Sequence, residues 1–420
     1  MILMQLVSLS YNCLLRAESP RIQYLDISSI NSLYISNPNT ILVISDLLEE
    51  HDVLLIFSPI IENTINMNIV AKLYKKGNIN EIANVCFSKD QLIKCLDSEK
   101  CFYYTPDLYK LFLQPFESEL EGIQNLYYCP CEDLSMIALE YCVDMEGRML
   151  CEKYNVFRLS SPDILSSRGS RKNYSKVSIW GGIDFYAKLA GCTFFEYSDT
   201  STISKCNLGY LEDSYRVAKT INEEMQLQGV NSTFYCDETA TEERIKSEHW
   251  DDVDVFFIET HGLILNHYKM ENTQGEEAPM DYHALALAGA SYVLEGGIVP
   301  NGVENGILTA NEISELNMNN VDLAVISACK SALVEIKGDG VYGLMRGFKE
   351  AGVRSLIMAT DDIVDYVSGQ LWIQLFRNLA KGMNKREALL EGLKYIRTMD
   401  GGAFSHPKFW TPFILIDGIE

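Results

Sequence analysis

The sequence predicts an α/β fold built on a mainly parallel sheet. Three observations carry that expectation. Short apolar runs alternate with segments of helical period through the second half of the chain. Two of those runs deliver a histidine and a cysteine at their carboxyl ends. The 420 residues, 47% of them hydrophobic, supply core for two or three folding units. Strands separated by helices in this rhythm pair in parallel, with helices on both faces.

Residues 1–157 form a strand-rich stretch with one clear helix. ILVISDLL and HDVLLIFSPI are apolar runs, and VAKLYKKGNINEIANVCF alternates about Lys76-Gly77-Asn78 as a hairpin does. Leu108, Leu111, Phe112 and Phe116 fall at helical spacing between Pro106 and Leu120. Residues 158–176, RLSSPDILSSRGSRKNYSK, are Ser-rich and basic and read as an exposed linker. From 177 to 420 the pattern is strand then helix. Val177–Trp180 is a strand closed by Gly181-Gly182, and Leu211–Gln228 is a helix that Gly229 stops. Ser232–Cys236 is a strand, and Thr239 with Glu242 makes a capping box opening a short helix. Val253–Ile258 is a strand, and His283 begins an apolar helix. Asp322–Ser327 is a strand, and Val341, Leu344, Met345 and Phe348 mark a helix ended by Gly352. Val353–Met358, helices over 365–381 and 385–398, and the strand Phe413–Ile416 complete the chain.

Composition excludes some classes of function. With 58 acidic and 35 basic side chains the formal charge is −23. Neutralising phosphates needs a basic face, so nucleic acid and anionic membrane surfaces are not expected partners. The 12 cysteines include no Cys-x-x-Cys pair, and the tightest cluster is Cys129-Pro130-Cys131. Buried reduced thiols are expected, with no metal and no cofactor. The amino terminus, MILMQLVSLSYNCLLR, lacks a basic region before its apolar run, and no run of about 18 apolar residues occurs. A reducing, cytoplasmic setting is the expectation.

Chemistry concentrates at two strand ends. VDVFFIETHG delivers His261-Gly262, and VDLAVISAC delivers Cys329. In open parallel sheets functional residues collect past the carboxyl ends of strands. A cysteine nucleophile needs a neighbouring base, which histidine supplies. Gly262 lets backbone N–H groups approach a developing oxyanion. Taken singly, Cys329 also reads as a small buried thiol and His261 as a satisfied core histidine.

These residues and their order resemble the bacterial CHAT family of caspase-like cysteine peptidases, in the caspase–separase superfamily. The likeness rests on SIWGGIDF, LGYLEDSYRVAKTI, LALAGA, NGILTANEISELNMNNVDLAVISAC, DGVYGLMRGFKEAGVRSLIMAT and HPKFWTPFILID, with LYKLFLQPFESELEGIQNLYYCP and KYNVFRLSS upstream. It implies a caspase-like three-layer sandwich over 177–420, the basic linker over 158–176, and a degenerate caspase-like α/β half over 1–157. By motif position His261 is the general base, Cys329 the nucleophile, and the N–H groups of Gly262 and Cys329 the oxyanion hole. The expected reaction is limited cleavage of a protein substrate, in bacterial stress, defence or cell-death signalling, under a separate activator or sensor protein. The alternative is a catalytically silent scaffold of the same fold. The chain departs from the family at Lys330-Ser331-Ala332 and at Ala359-Thr360-Asp361-Asp362. An acidic lining made by Asp361, Asp362 and Asp184 favours a cationic side chain before the scissile bond, although each also reads as a turn former. An enzyme with that preference has targets of its own at Arg168, Arg171 and Lys172, where self-cleavage is expected; the alternative is that these residues dock on the acidic body.

Overall fold

The computed structural model describes residues 43–61, 67–77, 83–96, 106–131, 134–135, 137–169, 172–192, 208–265, 279–329, 331–332, 335–337 and 340–420. Its strands are β1 (Asp52–Ile61), β2 (Met67–Tyr74), β3 (Ala83–Ser88), β4 (Asn125–Cys129), β5 (Asn155–Arg158), β6 (Lys176–Ile183), β7 (Asn231–Asp237), β8 (Val255–Glu259), β9 (Gly262–Ile264), β10 (His283–Ala286), β11 (Ile307–Thr309), β12 (Leu323–Ser327), β13 (Glu335–Lys337), β14 (Gly340–Tyr342), β15 (Ser355–Ala359) and β16 (Phe413–Ile416). The helices are α1 (Lys89–Leu96), α2 (Pro106–Phe112), α3 (Leu150–Lys153), α4 (Glu212–Leu227), α5 (Glu242–Lys246), α6 (Ala290–Leu294), α7 (Ala310–Ser314), α8 (Leu344–Glu350), α9 (Asp365–Ala380) and α10 (Lys385–Thr398).

One sheet of 11 strands runs β3-β2-β1-β4-β5-β16-β15-β12-β8-β6-β7. The neighbours β1, β4, β5 and β16 are parallel to one another, and so are β15, β12, β8, β6 and β7. The two sets meet antiparallel where β15 pairs β16. The expected mainly parallel sheet is present, and the two stretches of chain share it. The β2–β3 hairpin follows the alternation about Gly77, whose φ is +64°.

Successive residues of a strand point to opposite faces, so strands covered on both sides are apolar throughout. Phe256 packs on Trp250 and on Phe348 of α8, whereas Phe257 packs on Trp372 and Phe376 of α9. The helices therefore cover both faces, giving three layers. In β1 the same alternation sends Val53, Leu55 and Phe57 into one core and Leu54 and Ile56 into another. Among the described residues no helix is long and apolar enough to cross a membrane.

Several local expectations are corrected. Within the apolar run at 41–48, residues 43–46 form a helical turn. His283 lies in β10 rather than opening a helix, because β10 is held between β9 and β11. Helix α5 is capped by Thr241, whose side chain accepts the Arg244 N–H, while Thr239 closes its own turn onto Cys236. Glu242 is drawn inward instead, accepting the N–H groups of Asn305 and Gly306. The basic linker is docked rather than exposed. Arg158 ends β5 with its guanidinium buried, donating to the carbonyls of Ser135 and Ile137. Arg168 pairs with Asp52 at 2.6 Å and stacks over Tyr127, and Lys172 pairs with Asp254 at 2.8 Å. Arg168 and Lys172 thus each find a carboxylate on the acidic body. Arg171 lies outside the described residues.

The amino ends of β6, β8, β12 and β15 carry a line of buried polar contacts. Ser175 donates to Asp254, Tyr174 to Asp322, and Lys385 pairs with Asp322 at 2.9 Å. Lys385 also donates to the Ser355 hydroxyl, which donates to the carbonyl of Asp417. The Asp417 carboxylate accepts from Ser160 and pairs with Lys349 at 2.7 Å. Removing one member of a buried ion pair leaves an uncompensated charge. Asp417→Ala is expected to destabilise the protein by about 3–5 kcal/mol, measured as a lowered urea midpoint. A loss within error of a surface control overturns the assignment.

Candidate active site

Ser327 of β12 stands opposite Glu259 of β8, and the Thr260 N–H donates to the Ser327 carbonyl at 3.0 Å. Two residues further along each strand come His261 and Cys329. The parallel register thus carries His261 and Cys329 to neighbouring positions on one edge, with strands about 4.8 Å apart. The register is pinned at both ends of the pair, by the Thr260 N–H on the Ser327 carbonyl and by the Asp322 N–H on the Asp254 carbonyl at 2.8 Å.

The His261 imidazole is held from two sides. Its Nε2 lies 2.7 Å from the carbonyl oxygen of Gly209, just before α4. A carbonyl only accepts, so Nε2 carries the hydrogen and Nδ1 is left as the basic nitrogen. The ring packs against Phe185, 4.9 Å between centroids. The His261 carbonyl accepts the Ala286 N–H at 3.0 Å, pinning the backbone. Cys329 is exposed, with Sγ 4.0 Å from the carbonyl oxygen of Ile363. Gly262 has no room for a side chain, since a Cβ there would stand 2.5 Å from the Cys329 carbonyl oxygen.

Beneath the pair lies a buried acid that sequence reasoning missed. Trp372 Nε1–H donates to the Ser327 hydroxyl at 2.7 Å, and that hydroxyl donates to Glu259 Oε1 at 3.3 Å. Glu259 Oε2 is buried with no hydrogen-bond partner. Burial pushes the Glu259 carboxyl well above the usual range, and Asp365 adds to the shift. Asp365 itself is raised by burial, accepts the Asp213 N–H and acts electrostatically on His261. The Gly209 carbonyl, Glu259 and Asp365 have no motif to announce them, although Glu259 interrupts an apolar run with a carboxylate.

The candidate pocket acids divide. Asp361 and Asp362 share the segment between β15 and α9 with Ile363, so they lie on the edge of Cys329. Asp361 Oδ1 accepts the Asp362 N–H at 2.7 Å. Asp184 follows β6 on the same edge, but its carboxylate accepts the Tyr186 N–H at 3.0 Å and shapes a turn. Arg168 and Lys172 are not brought to the pair. Arg168 is anchored on β1, five places from β12 in strand order. Lys172 is anchored beside the amino end of β8, a strand length of roughly 15 Å from the reactive edge. Lys330 and His267 lie outside the described residues.

Burial pushes Cys129 and Cys142 well above the usual thiol range, Cys151 up to about 12 and Cys236 up to about 11. The carboxylates of Glu242, Glu304 and Glu312 converge as metal ligands do, but on the Lys246 ammonium, at 2.6, 2.8 and 2.8 Å. A cation of the chain itself fills that centre.

A family model described as the CHAT domain matches residues 104–417. No curated protein matches the chain. Among solved structures, the Arg-specific cysteine proteinase gingipain R (RgpB) matches with a TM-score of 0.41 at 9% identity, over 72% of this chain and 65% of that one. The complex of Porphyromonas gingivalis RgpB pro- and mature domains matches with a TM-score of 0.37 at 9% identity, over 73% of this chain and 67% of that one. The Saccharomyces cerevisiae separase–securin complex matches with a TM-score of 0.36 at 12% identity, over 70% of this chain and 15% of that one. The chain thus spans less than two thirds of gingipain R and a small part of the separase chain.

A raised folded-state carboxyl contributes stability at low pH and loses it as pH rises. The unfolded chain releases the Glu259 proton near 4.5 while the folded chain keeps it, so stability falls by about 1.4 kcal/mol per pH unit above that point, until the folded group ionises. Glu259→Gln is expected to gain steadily on the parent as pH rises above 4.5, until the folded carboxyl ionises, read from urea midpoints. Parallel pH curves for the two proteins count against a raised Glu259 carboxyl.

Proposed function

This chain belongs to the CHAT-domain family, and on that premise we propose that it is a cysteine endopeptidase in which His261 and Cys329 form a base–nucleophile dyad for limited cleavage of a protein substrate. The observation that carries the reading is the register of β8 and β12, which ends in histidine on one strand and an exposed cysteine on the next.

The chemistry follows from the contacts. Gly209 holds the hydrogen on Nε2, so Nδ1 takes the proton of the Cys329 thiol. The thiolate attacks the scissile carbonyl carbon, and the carbonyl oxygen becomes an oxyanion in reach of the N–H groups of Gly262 and Cys329. The His261 imidazolium, eased by the Asp365 charge, hands its proton to the departing amine. Water then enters, gives a proton back to His261 and releases the acyl group. Phe185 and the Ala286 contact keep the ring aimed throughout. Asp361 and Asp362, beside the Ile363 carbonyl that touches Sγ, favour an Arg or Lys side chain on the acyl side.

A peptide-library cleavage profile tests both parts. Cys329→Ala is expected to abolish cleavage, and His261→Ala to lower kcat/KM by about 10²–10⁴-fold. A thiol-directed probe is expected to label Cys329 in the parent and to fail in His261→Ala. Asp361→Ala is expected to weaken the Arg and Lys preference about 10-fold. Cleavage that survives Cys329→Ala overturns the dyad, and an unchanged profile in Asp361→Ala overturns the acidic pocket.

A further inference from the structure

The three-stranded sheet runs β11-β10-β9, so among the described residues β9 is an edge strand, and it begins at the residue after His261. Its antiparallel register sets Leu263 opposite Ala284, Gly262 opposite Leu285 and Ile264 opposite His283. The Ala286 N–H donates to the His261 carbonyl, and the Leu265 N–H to the Tyr282 carbonyl. Hydrogen-bonded and non-hydrogen-bonded pairs alternate in an antiparallel ladder. His261, Leu263 and Leu265 therefore spend their backbone groups on the β10 side. Gly262 and Ile264 direct theirs the other way, toward the open edge. Among the described residues no hydrogen bond is recorded for the N–H of either. Leu263 buries its side chain while Ile264 is 47% exposed, so the face that carries Gly262 also carries an apolar surface.

Resting on the peptidase reading above, we infer that the open edge of β9 is the subsite for the leaving-group side of the substrate, which adds there as an extended strand. The direction follows from the chemistry. His261 must deliver a proton to the departing amine, so the residues beyond the scissile bond lie on its side of the site. The segment 361–364 stands on the other side of Cys329, next to β15, and takes the acyl side. The chain that leaves His261 is β9 itself. Its first outward N–H, on Gly262, serves the scissile carbonyl, and its second outward pair, on Ile264, is two residues further along. Strand period two matches that spacing to alternate backbone groups of an extended peptide. The exposed Ile264 side chain then favours an apolar residue opposite it. The ligand is an unmodified polypeptide backbone continuing several residues past the cut, not a small amide.

The test uses the full chain and a peptide it cleaves in a Cys329-dependent way. One series truncates the peptide after the scissile bond. A second places single N-methyl groups on the second, third and fourth residues beyond it. Losing the extension is expected to lower kcat/KM about 10-fold or more, and N-methylation to matter at alternate positions rather than evenly. Ile264→Pro, which deletes the outward N–H but no bond to β10, is expected to collapse the advantage of long over truncated substrate. Equal cleavage of long and truncated peptides, with uniform tolerance of N-methylation, overturns the β9 subsite and leaves the peptidase reading standing. Absence of Cys329-dependent cleavage of any peptide overturns the peptidase reading, and the subsite with it. Should Ile264→Pro misfold, the N-methyl series on the parent protein decides alone.

Discussion

The Lys349–Asp417 ion pair closes a line of buried polar groups that runs under the amino ends of four parallel strands. Its members come from remote parts of the sequence: Ser160 after β5, Asp254 and Asp322 before β8 and β12, Ser355 opening β15, and Lys385 opening α10. None of these charges faces water, so each depends on its neighbours for solvation. The arrangement fixes which strand lies beside which, and apolar layers alone tolerate more exchange of that order. The reactive residues sit at the far ends of those same strands. His261 and Cys329, carried on separate strands, keep their relative positions only if both strands keep their height.

The two edges of the sheet divide the labour. One is made of satisfied charges and serial hydrogen bonds. The other holds an exposed thiol, an imidazole, a glycine that tolerates no side chain, and a buried acid with one oxygen unpartnered among the described residues. That unpartnered oxygen costs the folded state free energy, whereas the paired charges of the opposite edge are satisfied. Stability and reactivity are thereby drawn from different ends of the same strands.

Much of this was readable before folding, for physical reasons. VFFIE, LAVIS and SLIMA are apolar at every position because both faces are covered. The residues that follow such runs are forced to one edge, which makes His261 and Cys329 legible. Long-range choices were not. That β16 pairs β5 rests on a single register pair and on Asp417 reaching Ser160 across 257 residues. The carbonyl of Gly209 is a backbone group, and a backbone group leaves no trace in residue type. Thr241 caps α5 in place of Thr239 because Glu242 found better partners in the amides of Asn305 and Gly306. The basic run at 158–176 reads as solvated by composition, yet the acids that receive Arg168 and Lys172 lie over 80 residues away in sequence.

The antiparallel seam between β15 and β16 has a consequence for assembly. Left unpaired, the outer side of β16 is a strand edge on which a second molecule extends the sheet, building a dimer through continuous backbone pairing. Here the chain's own β5 fills that slot. The amino-terminal half therefore behaves as a covalently attached partner, present at an effective concentration no free subunit attains. Among the described residues the outermost strands of this sheet are β3 and β7, each far removed along it from the seam.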